Sequence, residues 1–198
     1  MRKVERGEIK DLVAYERARL ALRAHVIEVK KHRRVAVGPN VTLLFENRET
    51  VLFQIQEMVR TERLVDDGRI QEEVDAYNAL MPEKGELSAT LFIEIPELVR
   101  LGLDEVRERL DRFQGLDRDS VWLQVDGRRV PARFESGQSR EEKMAAVHYL
   151  RFALPEAARG ALAESAADVR VVVDHPHYRA EAALAAETRK SLHEDLSG

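Results

Sequence analysis

The chain reads as an α+β domain: a mixed or largely antiparallel sheet covered by helices, with long helices at the N- and C-terminal ends. Three observations lead there. Apolar residues recur at helical spacing in some stretches and at alternate positions in others. Strands and helices do not follow a regular βαβ alternation. Asp126-Gly127, set between two β-prone runs, is a hairpin signal that requires antiparallel neighbours. With 198 residues a single domain is expected, and a subdomain boundary near residues 82–86 is the alternative. A chain of this size buries about 70% of its unfolded surface and needs no covalent staple.

Taken in order, Ile9 to about Lys31 predicts one long helix, with Leu12, Val13, Leu20, Val26 and Val29 among its buried positions. The run Lys30, Lys31, His32, Arg33, Arg34 ends it, where cations complement the helix dipole and solvent takes the charge. Val35 to Phe45 predicts strand, interrupted at Gly38-Pro39-Asn40. A helix follows, then Asp66-Asp67-Gly68, then a helix carrying Ile70, Val74, Tyr77 and Met81 that Pro82 stops. Ser88 to Ile95 alternates, with Leu91, Ile93 and Ile95 on one face and Thr90, Phe92 and Glu94 on the other. Helix is expected again from Glu97 to Phe113. Val121–Val125 and Val130–Phe134 form the hairpin, and Pro131 places its second arm at a sheet edge. Gly137 to Lys143 reads as a polar loop or frayed helix, Val147 to Leu154 as strand, Pro155 to Ser165 as a short helix and Val169 to Asp174 as strand. A last helix is expected from Tyr178 to Asp195.

The segment Thr42 to Leu64 carries the strongest local pattern. Asn47 suits an N-cap, and Glu49 suits the positive end of the helix that follows. At about 100° per residue, Val51, Leu52, Ile55, Met58 and Val59 form a broad apolar arc, with Glu62 falling inside it. Phe53 and Leu64 form a second arc. Between the two lie Thr50, Gln54, Glu57 and Thr61, while Gln56, Arg60 and Arg63 make the solvent face. A stripe held between two packed arcs is expected to be buried, and a buried carboxylate must be paired, bind a metal or take up a proton. Glu57 and Glu62 are thus the first site candidates. The alternative is that Glu57 pairs with an arginine such as Arg60 or Arg48, or reaches solvent past Phe53.

Composition removes several function classes. Charged residues make up 34% and the net charge is −4, which gives no basic face for nucleic acid. Aromatic residues at 6% leave little for base stacking, and Trp122 reads as packing. Cysteine is absent, which excludes disulfides, a thiolate nucleophile, Cys-ligated metal and an iron–sulfur cluster of the chain's own. The start of the chain lacks a signal-peptide core, and no stretch approaches the ~18 apolar residues of a membrane span, so a cytoplasmic location is expected. The glycine-loop, P-loop and GxSxG patterns are all missing.

Two histidines merit a metal test. Alternation puts His148 on the face of Leu150 and Phe152, and His175 on the face of Val169, Val171 and Val173. Pairing of those strands would bring the two rings together, with His177 beside them across Pro176. Two or three imidazoles plus a carboxylate from Glu57, Glu62 or Glu46 would suit zinc or non-haem iron. The bland alternative is a hydrogen-bonded core His148 and a strand-end His175. His25, His32 and His193 read as helix-surface residues.

Several phrases recur together: Glu8-Ile-x-Asp-Leu-x-x-Tyr-Glu16, FENRETVLFQIQEMVRTER, GELSATLFIEI, VHYLRF and DHPHY followed by a helix. In these the chain resembles a bacterial domain-of-unknown-function family, number 3501, from residue 8 to 178. The resemblance implies a setting beside rubrerythrin-like proteins and iron–sulfur oxidoreductases, close to peroxide handling or electron transfer. It supplies no catalytic residues. The candidate ligand-binding set Glu46, Asn47, Arg48, Gln54, Glu57, Arg60 and Glu62 therefore rests on the helix pattern alone, as the candidate metal set His148, His175, His177 and Glu57 rests on strand alternation.

Three functions follow as expectations. The first is an accessory or partner-binding protein of a bacterial redox or peroxide-stress system, its partner a rubrerythrin-like or iron–sulfur protein that carries the electrons. The second is a small metal-binding protein or metal-dependent enzyme. The third is a binding domain in which Arg48 and Arg60 clamp a small anion. No pattern specifies an oligomeric state.

Overall fold

The computed structural model describes residues 1–96, 100–135, 145–164 and 166–197. A 3-10 turn at Arg6–Glu8 leads into α1 (Leu12–Lys31), β1 (Arg34–Val37), β2 (Val41–Glu46), α2 (Arg48–Thr61) and α3 (Asp67–Asn78). Then come β3 (Glu86–Ile93), α4 (Leu103–Asp111), β4 (Val121–Val125), β5 (Arg128–Phe134), β6 (Val147–Ala153), α5 (Glu156–Ala163), β7 (Val169–His175), β8 (Tyr178–Ala183) and α6 (Ala186–Ser197). The eight strands form one sheet in the order β1-β2-β3-β6-β5-β4-β7-β8. Every pairing is antiparallel.

Local chemistry sets the boundaries. Asp11 caps α1 by accepting from the Ala14 amide at 2.8 Å, which starts the helix three residues after Ile9. α2 ends in a Schellman turn: Leu64 N–H donates to Val59 O at 2.9 Å, and Arg63 takes φ 53°. Asp126 and Gly127 both have positive φ, as the tight hairpin requires. The expected helix from Glu97 is seen from Leu103, and its first three residues lie outside the described residues, as does the stretch 137–143.

The sheet curls until its ends meet. Tyr178 on β8 donates to Val37 O at 2.5 Å and accepts from Asn40 N at 3.1 Å, which ties the last strand to the β1–β2 turn. Gly38 lies beneath it with φ +72°, where a Cβ would stand 2.5 Å from the Tyr178 hydroxyl oxygen and 2.9 Å from Ala180 Cβ. Inside this near-barrel, Val37, Leu43, Phe45, Leu91, Leu123 and Phe152 belong to one apolar cluster that α5, α6 and the Phe113–Leu116 turn help to fill. A second cluster joins Val51, Ile55 and Val59 of α2 to Ile70 and Val74 of α3, and to Val4 and Ile9.

Three expectations are corrected. Tyr178–Ala183 is strand, not the start of the last helix, although its alanines, Arg179 and Glu181 favour helix. The His175–Tyr178 turn presents it to the open edge of β7, and Tyr178, Ala180 and Ala182 pack inward. Pro131 lies on an interior strand, because β5 pairs with β4 as far as Pro131 and with β6 only from Ala132. The proline thus sits where the strand has a partner on one side. Val13 and Leu20, expected inside, are 63% and 77% exposed; α1 buries Val26, as expected, and Tyr15.

The basic run after α1 also divides. Arg33 is 1% exposed. Its guanidinium donates to Phe45 O (2.8 Å), Glu46 O (3.1 Å), Ser191 Oγ (2.7 Å) and the Asp195 carboxylate. The end of β2 and the face of α6 are thereby fixed to one point. Burial pushes the Asp195 carboxyl above its usual range, against the pull of Arg33.

Barrel closure is testable at the turn. Gly38→Ala should cost more than about 1 kcal/mol, since it combines a left-handed backbone with a collision. Tyr178→Phe should cost about 1 kcal/mol. Urea unfolding of the two variants checks both, and a neutral Gly38→Ala would show that the turn is not tied down.

Candidate functional site

β2 is buried on both faces. Val41, Leu43 and Phe45 enter the barrel, while Thr42, Leu44 and Glu46 face the other way. Register then builds a polar row across the outer face: Glu46 stands opposite Ser88, Ser88 opposite Arg151, and Arg151 opposite Arg133. Thr90 and Tyr149 form the neighbouring pair.

Glu46 is 2% exposed. Its Oε1 accepts from Thr90 Oγ1 at 2.6 Å and its Oε2 from Thr50 Oγ1 at 2.5 Å. Thr50 belongs to the cap of α2: Asn47 Oδ1 accepts from Thr50 N at 3.0 Å, and Asn47 N donates to Thr50 Oγ1 at 3.0 Å. The carboxylate therefore meets the positive end of α2. Ser88 Oγ beside it is buried and has no hydrogen-bond partner among the described residues. Burial, then the nearby Glu46 charge, raises the Tyr149 phenol above its usual pKa.

Glu46, Ser88 and Tyr149 line a pocket of ≈ 10 Å³ together with Leu80, Glu135 and Arg151. Through Glu135 and Arg151 it adjoins a cleft of ≈ 350 Å³ walled by Glu83, Glu86, Arg133 and Phe134. Arg151 donates to Glu135 (2.7 Å), Glu86 (3.3 Å), Met81 O (3.1 Å) and Ala79 O, and so holds the residues after α3, with Leu80 in the pocket wall, against this face. Burial opposes the Arg151 charge, yet the Glu135 and Glu86 carboxylates outweigh it and hold its pKa above the usual arginine value.

Of the residues singled out in the sequence, Glu46, Asn47 and Thr50 belong to this row and its cap, while Thr61 of the same expected stripe is exposed. Glu57 is held elsewhere: Tyr15 donates to it at 2.6 Å and Arg19 grips both oxygens at 2.7 and 2.8 Å. The Arg19 hydrogen bond is the main reason its carboxyl falls to about 2, with burial opposing and Tyr15 assisting. Gln54 is half-buried on α2. Arg48 binds Glu8, and Arg60 binds Glu16 at 2.7 Å, so both guanidiniums meet carboxylates. Glu62, expected in the apolar arc, is exposed because α2 stops at Thr61 and Glu62 is its C-cap. Gln56, expected in solvent, is 4% exposed and bonds the Lys10 amide and carbonyl at 2.9 and 3.0 Å.

The histidines do not converge as strand neighbours. β5 and β4 lie between β6, which carries His148, and β7, which carries His175. His148 Nε2 lies 2.8 Å from Ala145 O, and burial lowers its pKa. His175 Nε2 lies 2.9 Å from Gln114 O, and its Nδ1 accepts from His177 N at 3.3 Å. Among the described residues no three His, Asp or Glu side chains gather where a metal could be held. No helix among them is long and apolar enough to cross a membrane.

Sequence reasoning missed Ser88, Tyr149 and Arg151 as site residues. Alternation places them on one sheet face, but polar residues on such a face usually mean solvent. The cover comes from α2 and the residues after α3, which strand pattern does not report.

An α+β near-barrel with a helical layer over one polar face is thus the class of molecule. The chain belongs to the family described as protein of unknown function DUF3501, whose profile matches residues 3–196. It is similar to a crystal structure from Burkholderia pseudomallei K96243, described as a novel protein of unknown function. The two share 36% identity and a TM-score of 0.88, over 98% of this chain and 100% of that one. No curated protein matches.

The Glu57 cluster gives a pH test. Its carboxyl is depressed from 4.5 to about 2, so its contribution is present above pH 4.5 and is lost as pH falls through about 2. Glu57→Gln should cost roughly 1.5–3 kcal/mol at neutral pH. The gap from wild type should narrow on acidification, read by denaturant midpoints between pH 7 and 2. A gap that stays constant would contradict the assignment.

Proposed function

We propose that this protein is a cytoplasmic accessory protein that works by docking to a partner, and that the outer face of α1 is the docking surface. One observation carries the reading. Val13, Leu20 and Ile27 are 63%, 77% and 45% exposed and recur every seven residues on a 20-residue helix. They lie roughly 140° around the helix from Tyr15 and Val26, which pack inward. A helix that packs through one apolar face and exposes apolar residues on another offers that second face to a partner.

The flanks narrow the partner. Arg17 and Arg23 border the stripe, and each is exposed with no ion-pair partner among the described residues. Self-association would set this arginine-flanked stripe against itself. The complement is an apolar helix face with acidic borders, for which opposite charge speeds encounter and fixes register. Absence of cysteine fits a protein whose partner holds the redox centre. The setting beside rubrerythrin-like and iron–sulfur proteins that the resemblance implies points to the same choice.

Leu20→Asp tests this directly. Substitution at so exposed a position should leave stability within about 0.5 kcal/mol, while affinity for a neighbouring rubrerythrin-like or iron–sulfur protein should fall roughly tenfold or more. Calorimetric titration with that partner provides the readout. Undiminished binding by the variant, or self-association of the wild type through α1, would overturn the proposal.

A further inference from the structure

We infer that the pocket between Glu46 and Ser88 receives a primary ammonium group, the head of a small amine that enters through the adjoining cleft. The site is separate from the α1 stripe and stands independently of it. Glu46 is 2% exposed, and among the described residues its carboxylate is hydrogen-bonded by two threonine hydroxyls. No Lys, Arg or His among the described residues pairs with it; nearby Arg151 is committed to Glu86, Glu135 and two carbonyls. Ser88, 4% exposed, turns an unpartnered Oγ to the same pocket. A buried carboxylate lacking a countercharge and a buried hydroxyl lacking a partner are both costly, and one donor cation satisfies both.

Size and charge select the cation. At ≈ 10 Å³ the pocket has room for about one water-sized centre, which suits a nitrogen and excludes a quaternary ammonium. Water would partner Ser88 yet leave the carboxylate charge uncompensated, and an anion would be repelled by it. Along the route in, the carboxylates of Glu46, Glu83, Glu86 and Glu135 outnumber the guanidiniums of Arg133 and Arg151, so the cleft favours positive charge. An –NH₃⁺ group has three donors, which Glu46, Ser88 Oγ and a further acceptor at the mouth can take up. The cleft of ≈ 350 Å³ leaves space for a short carbon chain behind it. The Thr50 hydroxyl proton also faces Asn47 O at 3.0 Å, which leaves Glu46 Oε2 open to a further donor.

Thermal unfolding of the full chain tests the inference. Ammonium chloride and butylamine hydrochloride are compared with potassium chloride and tetramethylammonium chloride at equal ionic strength. An ammonium site predicts a saturable rise in Tm of roughly 5–10 °C at a hundredfold excess over the half-saturating concentration, with no such rise from the two control salts. Butylamine acting at lower concentration than ammonium identifies an amine ligand that uses the cleft; equal potency identifies the ion itself. Ser88→Ala, which removes only the orphan hydroxyl, should raise the half-saturating concentration by about tenfold or more, and Glu46→Gln should abolish the response. Equal shifts from all four salts, or a response unchanged in Ser88→Ala, would overturn the inference. So would a wild type that ignores ammonium.

Discussion

The buried guanidinium of Arg33 is the constraint from which the arrangement around β2 follows. An arginine at 1% exposure is tolerated only when its donors are met, and here they are met by two carbonyls at the end of β2 and by Ser191 and Asp195 one turn apart on α6. That geometry permits one placement of the strand end and one of the C-terminal helix. It sends Phe45 into the barrel and Glu46 to the outer face. Because burial raises the Asp195 carboxyl despite Arg33, the pair acts more as a register device than as a source of net stability.

The outer face inherits this register. With the Glu46 carbonyl held by Arg33, its side chain meets Thr50 at the start of α2 and Thr90 on β3, so the cap of a helix and the row of a sheet share one carboxylate. Arg151 then holds the residues after α3 against the same face. α1 stands apart from this construction. It meets α2 through the Tyr15–Glu57–Arg19 cluster, and its opposite side remains apolar and open. The molecule thus presents two unlike surfaces on different elements, a helix face with exposed apolar residues and a small pocket lined by carboxylates.

Much of the architecture was legible in the sequence because it depends on neighbouring residues. The Asn47 cap, the Asp126-Gly127 hairpin and the strong strands at Val121 and Val169 are local chemistry, and the fold class follows from them. What depended on distant partners was not legible. The stretch Tyr178–Ala183 favours helix until β7 offers an edge, and Arg33 looks like an ordinary basic helix end until α6 covers it. The α1 wheel has two apolar arcs and does not say which is inside. The candidate site shows the same division: Glu46 and Asn47 lie beside a local cap and were found, whereas Ser88, Tyr149 and Arg151 became site residues only through register and cover.

A double-mutant cycle on Arg33 and Asp195 tests the central constraint most directly. Arg33→Met and Asp195→Leu should each lose about 3–5 kcal/mol, because each strands a buried charge, and the double variant should recover much of that loss. Strong coupling of this kind, with the fold retained in the double variant, is the predicted result. Losses that simply add would contradict the account, since Arg33 would then be held by the β2 carbonyls alone and α6 would not be fixed through it.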